Sequence, residues 1–371
     1  QYGAGYIMAE FNIGPMITFT PGVRFDADYT KYHGQSFRDV VTNGNVQQTP
    51  GDVQHNENER RNSFWLPMIH LKLQPFEWMI VRLARTMTLT RPDYMMYAPI
   101  THINSYQSYA MAANAGLKDS RSKNWDASVS IYQQYVGLLT VSGFHKSIDN
   151  LIMFTTIQKM DTAVARRLPS ELNVPESWLS SAPQVDTYIN NPNPAVYKGV
   201  EFDWQTNFWF MPSFLKGLVL NVNWTYIEST IDVQQFKTTP VTRFVPPRSY
   251  ITSIQLSDTI RNQRMPGQPA HIANVTIGYD YLGFSIRASY LSQSDKVTTI
   301  GQTKITDAFT APYKRWDLAV QQKIGEHLQL YANFNNLNNR HDESLLGYQQ
   351  LNPTSLEYYG LTVDLGLRFK F

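Results

Sequence analysis

The sequence predicts an all-β chain folded as a transmembrane antiparallel β-barrel. Three observations predict it. The last stretch, Glu357 to Phe371, alternates over its whole length: Tyr359, Leu361, Val363, Leu365, Leu367, Phe369 and Phe371 share one face. Thr362, Asp364, Arg368 and Lys370 share the other, which makes one apolar wall and one wet wall. In a membrane barrel the apolar face meets lipid and the polar face lines the lumen. The second observation is compositional. Aromatic residues make up 13% of the chain, yet its mean hydropathy is negative and no run of 18 apolar residues occurs. Interfacial aromatic girdles combined with a water-facing residue at every second position produce that combination, and transmembrane helices do not. The third is the rhythm of the connections, in which tight turns alternate with long polar stretches.

In chain order, Gly3 to Ile13 and Met16 to Tyr29 pair across Gly14-Pro15. Strands at Phe64 to Leu73 and Trp78 to Leu89 follow, joined by a Gln74 to Glu77 turn. The next pair is Lys123 to Tyr135 and Leu138 to Ile148, with Gly137 at the turn. Trp125, Ala127, Val129 and Ile131 form one face of the first of these. The second has no clear face, because Phe144 is out of step with Leu139 and Val141. Val200, Phe202, Trp204 and Phe208 alternate with Glu201, Asp203, Gln205 and Asn207. Past a Met211 to Gly217 turn come Leu220, Val222, Trp224 and Tyr226. Ala273 to Tyr279 and Phe284 to Tyr290 pair through Leu282-Gly283. Trp316 to Val320 and Leu328 to Phe334 pair through Gly325-Glu326. Long loops are predicted near residues 30–63, 90–122, 149–196, 230–270, 293–313 and 338–356, with a short helical turn near Pro175 to Leu179.

The count is about thirteen strands. Single-chain bacterial barrels close with an even number, and an open edge in lipid leaves backbone groups unsatisfied. The chain is therefore expected to form part of one barrel domain, with further strands supplied by an N-terminal part or a partner. With a strand in the first dozen residues and no signal peptide before it, the N-terminus is expected to be cut from something longer.

Other classes find little support. The chain has no cysteine, which excludes disulfides and thiolate metal sites. A net charge of +2 gives no reason to expect nucleic acid. His33, His55, His102 and His341 lie in predicted loops, His145 and His271 in or beside strands, and none shows metal-ligand spacing. Nucleophile-elbow, His-Glu-x-x-His and phosphate-loop motifs are missing, so no catalytic, metal or cofactor site is expected.

At this point the residues resemble a known family. AEFNIGPMITFTPGVRFDADY, VRLARTMTLTRPDYMMYAP, NAGLKDSRSKNWDASVSIY, YKGVEFDWQ, MPGQPAHIANVTIGYD, WDLAVQQKI, LYANFNNLNN and YYGLTVDLGLRFKF resemble, in that order, the C-terminal part of the barrel of TonB-dependent outer-membrane receptors, in the version common in Bacteroidetes-like sequences. Ala115 stands where the family usually has Pro. The resemblance implies a 22-stranded barrel around an N-terminal plug, of which this chain carries about the last 13 strands and no plug. It implies a Gram-negative outer-membrane location among lipids and lipopolysaccharide. It also implies active import driven by a TonB-type energy-coupling protein. Ferric siderophore is the first expectation for cargo. The alternatives are an oligosaccharide or peptide handled with a surface lipoprotein, or a structural or docking barrel.

The candidate residues fall into three groups. Tyr94, Tyr97, Tyr106, Tyr109, Arg243, Arg248 and Arg261 lie in predicted outer loops, where rings and guanidinium groups suit an anionic chelate or a sugar. Loop-to-loop packing and contact with lipopolysaccharide are the plainer reading. Arg91-Pro92 reads as a strand-to-loop exit. Asp126, Glu201, Asp203, Arg287, Asp364 and Arg368 are expected on the lumen wall, facing water or a plug. The resemblance makes Phe371 the barrel-assembly signal.

Overall fold

The computed structural model describes residues 1–42, 45–98, 100–104, 109–158, 184–247, 249–301, 303–347 and 352–370. Thirteen strands run through it in one antiparallel sheet. β1 comes in two pieces, Tyr2–Met8 and Phe11–Ile13. It is followed by β2 (Ile17–Thr42), β3 (Asn45–Phe76), β4 (Met79–Thr90), β5 (Ser120–Gln133), β6 (Gly137–Asp149) and β7 (Ala195–Asn207). Then come β8 (Leu218–Val245), β9 (His271–Tyr281), β10 (Phe284–Gln293), β11 (Tyr313–Ile324), β12 (Leu328–Asn335) and β13 (Thr362–Phe369). Each strand pairs with the next in sequence. Among the described residues no ladder joins β1 to β13.

Register carries the apolar face across the sheet. Val81, Val129, Val141, Phe202, Trp224 and Ala273 are successive cross-strand partners. So are Ile277, Ala288, Leu318, Phe334 and Val363. Slipping any strand by one residue would turn charged side chains into lipid, so this face fixes the register. No helix among the described residues is long and apolar enough to cross a membrane.

Aromatic pairs mark both interfaces. Phe25–Trp65 (4.8 Å) and Tyr290–Trp316 (4.6 Å) lie toward the long connections, where Arg85 also covers Trp125 at 4.8 Å. Phe76–Trp78 (5.0 Å) and Tyr135–Trp209 (5.8 Å) lie at the tight turns. There Trp204 Nε1 donates to the Val136 carbonyl at 2.8 Å. An amphipathic ring with one polar edge belongs at such a boundary.

Register also settles β6. Leu139 and Val141 oppose Ile131 and Val129 on the lipid face, whereas Phe144 opposes Asp126 on the lumen face. Its ring lies across Gly199 of β7, where a Cβ would come within 2.6 Å of the ring and 2.4 Å of the Tyr226 carbonyl. Tyr331 lies over Gly366 in the same way. Large lumen-wall side chains fold flat against the sheet wherever the neighbouring strand has no side chain.

Three expectations need correction. The stretches 30–63 and 230–270 are mainly ribbon, not irregular loop. β2 and β3 pair as far as Thr42 and Asn45, and β8 pairs with Ser249–Gln263 as far as Val245 and Ser249. Their inward residues are small, polar or buried only near the root, as at Tyr32, Gly34 and Ser36 or Ile231 and Val233, so no sustained apolar period announces them. The loops 149–196, 293–313 and 338–356 also hold short strands. The helical turn expected near Pro175 to Leu179 lies outside the described residues. The closing strand starts at Thr362. Glu357 belongs to the loop strand Asn352–Glu357, and Gly360 at φ +72° breaks the extended run.

Candidate functional site

The lumen wall and the outer rim hold the polar side chains that could meet a ligand or a partner. On the wall, β2 to β7 line a concavity of about 480 Å³ that includes His70, Lys72, Arg82, Asp126, Phe144 and Glu201. Their placement follows from register: Lys72 opposes Arg82, Arg82 opposes Ser128, and Ser142 opposes Glu201. Two cations on β3 and β4 thus share a surface with two carboxylates on β5 and β7. Among the described residues these four form no ion pair, and their charge is exposed to whatever fills the lumen.

Other wall residues find partners within the sheet. Arg287 grips Asp280 through two bonds of 2.7 and 2.8 Å and lies over Gly278. The expectation that Arg287 faces only water or a plug is therefore corrected, since Asp280 on β9 already holds it. Asn223 donates to Asp203 at 3.4 Å and Asn335 to Asp364 at 3.3 Å. Arg368 stands exposed opposite Gln329 on β12.

The outer rim is held by two clasps. In the first, the segment 91–119 is tied to β1 and to the β2–β3 ribbon. Arg91 pairs with Asp28 (3.3 Å) and lies over the Tyr2 ring (4.9 Å). Pro92 beside it is buried, so this exit from β4 is a structural joint. Arg60 pairs with Asp119, whose side chain is fully buried, and covers Tyr97 at 5.4 Å. Tyr97 bonds the Tyr32 hydroxyl. Burial, and then the Tyr32 hydroxyl, hold the Tyr97 phenol well above its ordinary range, so it stays protonated. Burial likewise pushes the Asp119 carboxyl up.

In the second clasp Arg261 donates to both carboxylate oxygens of Asp307, at 2.7 and 3.0 Å. Asp307 also accepts from Gln263 (3.0 Å) and from the Gly301 amide (2.9 Å). Arg261 gives a further bond to the Gly301 carbonyl. These contacts bolt the connection 294–312 to the root of the ribbon 231–263.

The candidate loop residues are thereby sorted. Tyr94 is exposed on the short helix Tyr94–Tyr97 and touches Tyr32 at 5.2 Å. Tyr97 sits in the first clasp. Tyr109 starts the short strand Tyr109–Ala112. Arg243 is exposed near the far end of the second ribbon, away from these tyrosines in the topology. Arg261, expected to face a ligand, is spent on Asp307. Tyr106, Arg248 and Phe371 lie outside the described residues. Arg60, Asp119, Tyr32 and Asp307 were not anticipated. Arg60 and Asp119 are 59 residues apart, Arg261 and Asp307 are 46 apart, and no local pattern links such pairs.

A thirteen-stranded sheet with an apolar outer face, two aromatic girdles and a charged inner wall defines an outer-membrane β-barrel chain. The profile of the family described as "TonB dependent receptor-like, beta-barrel" matches residues 1–337, and the chain belongs to that family. Its place is the Gram-negative outer membrane. No curated protein sequence matches the chain. Its structure is similar to that of the Serratia marcescens hemophore receptor HasR, solved as a double mutant with its hemophore HasA and heme. Identity is 14% and the TM-score 0.62, over 100% of this chain and 51% of that one. It is also similar to the siderophore receptor PiuA of Acinetobacter baumannii (13%, 0.60, 100% and 43%). A third similar structure is the ferric enterobactin receptor PfeA of Pseudomonas aeruginosa, in complex with enterobactin (14%, 0.57, 100% and 54%). The chain spans about half the length of these proteins.

Proposed function

We propose that this barrel serves TonB-dependent import of a scarce nutrient across the outer membrane, without covalent chemistry and without a cofactor. The observation that carries the reading is the lumen wall. The unpaired charges of Lys72, Arg82, Asp126 and Glu201 suit a polar plug docked inside, which energy from a TonB-type partner displaces. Cargo meets the outer ribbons first. Ferric siderophore is the first candidate, in line with the siderophore and enterobactin receptors among similar structures. Tyr94, Tyr97, Tyr106, Tyr109, Arg243 and Arg248 remain proposed contacts, as do lipopolysaccharide molecules around the outer girdle.

One observation favours a second cargo class. Arg24, Arg60, Arg91, Arg261, Arg264 and Arg315 each already face a carboxylate. Guanidinium groups already paired in this way at the ribbon roots suit an oligosaccharide or peptide, handed over by a surface lipoprotein, better than an anionic chelate. Binding and uptake of iron-labelled chelates by cells carrying the whole receptor separates the two. The siderophore reading predicts saturable uptake that is lost on deletion. Uptake of glycan or peptide alone retires the siderophore, and loss of no uptake on deletion leaves a docking barrel.

Phe371 is proposed as the assembly signal. Its removal is expected to lower the folded, heat-modifiable fraction in the outer membrane, measured by unheated gel electrophoresis. An unchanged fraction contradicts that role.

A further inference from the structure

The ribbon 231–263 is built as an arm. Its root is fixed twice. Ile231, Val233, Ala195 and Met265 form a buried apolar cluster, and Arg261 is bolted to Asp307 beside it. From there fifteen consecutive cross-strand pairs run from Ile231–Gln263 out to Val245–Ser249. At roughly 3.3 Å per residue the arm is about 45 Å long. A lone two-stranded ribbon is marginal in water unless something packs against it.

The far end carries exposed apolar side chains on both faces. Phe244 and Tyr250 pair on one face at 5.2 Å and are 49% and 73% exposed. Ile251, opposite Arg243 on the other face, is 56% exposed. Residues 233–257 contain Lys237, Arg243 and Arg248 and no Asp or Glu, whereas Asp232 and Asp258 stand at the root. The β2–β3 ribbon differs, because Lys31 and Arg61 on it are matched by Glu57 and Glu59. Exposed rings beside the exposed Arg243, in a segment whose sequence has no acidic residue, are the composition of a binding surface.

We propose that the end of this arm, around Arg243, Phe244, Tyr250 and Ile251, docks a surface or secreted protein through an acidic cleft in that partner. Two exposed faces fit a cleft that grips the ribbon, and the positive charge of Arg243 calls for carboxylates at its rim. A lipid surface is out of reach. Even a ribbon tilted by about 45° rises roughly 30 Å above its root, whereas headgroup charge lies within roughly 10 Å of the hydrocarbon edge. The inference goes beyond import and does not depend on the cargo.

The test places p-benzoylphenylalanine at position 250 of the whole receptor, in its own cells, and irradiates them. The expected result is an adduct with one protein whose cross-linked segment is acidic. Arg243→Glu should weaken that adduct by about tenfold or more, and a Lys at the partner's matching carboxylate should restore it. Heat-modifiability, unchanged in each variant, shows that the barrel is folded. An adduct with lipopolysaccharide alone, no adduct, or a protein adduct indifferent to Arg243→Glu overturns the proposal. Cargo uptake is followed in the same cells. Docking without uptake refutes only the import reading, and uptake without docking refutes only this one.

Discussion

Replacing Asp307 with alanine is expected to release the connection 294–312 from the rim while the barrel stays folded. The side chain is 2% exposed and accepts from Arg261, Gln263 and the Gly301 amide. Its loss strands the Arg261 guanidinium at 12% exposure, with its Nε already lacking a partner. Removing one member of a buried pair costs about 3–5 kcal/mol, because the remaining charge cannot regain water. Cleavage of a locally opened segment follows the population of the open form. Protease cutting within 294–312 should therefore rise by roughly a hundredfold to a few thousandfold. Asp307→Asn keeps one acceptor oxygen, enough for Gln263 or the Gly301 amide but not both, and should fall between. Unchanged cutting in the alanine variant would show that the clasp does not hold the rim.

The second large effect separates the two faces of one strand. Ile277 lies in mid-β9 between Leu220 and Ala288 and is 56% exposed on the face assigned to lipid. Arginine there is expected to cost about 2–4 kcal/mol, the range for a cation at the bilayer midplane. Thr276 faces the lumen and bonds the Ser289 hydroxyl at 2.9 Å. Thr276→Arg forfeits about 1 kcal/mol of hydrogen bonding and leaves the new charge in water. Urea unfolding of the whole receptor from liposomes reads both. Equal costs at 276 and 277 would contradict the face assignment.

The membrane-spanning part was legible in the sequence because lipid permits only one kind of side chain at every second position. Trp316, Leu318 and Val320 announce their face without help from any other strand. The outer ribbons were illegible for the opposite reason. Residues 31–61 and 231–263 bury one face only near their roots and carry mostly polar side chains beyond, so nothing in their order separates ribbon from irregular loop. Phe144 misled because an aromatic ring marks the lipid face only if the lumen wall has no room for it, and that room is Gly199 on another strand. Gly360 was counted as one more alternating residue, but at positive φ it ends the run. Of the candidate site, Arg91 was placed correctly as a strand exit. Arg261 was misjudged, because its partner is 46 residues away and only the folded rim brings Asp307 to it.

The central claim is that the strands span the membrane with alternate residues in lipid and in the lumen. The chain has no cysteine, so single cysteines introduced along β11 from 315 to 321 can carry spin labels without background. In the whole receptor reconstituted in liposomes, positions 316, 318 and 320 should be relaxed by lipid-dissolved oxygen, and 315, 317, 319 and 321 by aqueous nickel complexes. A profile without that two-residue period, or with its phase reversed, would contradict the account.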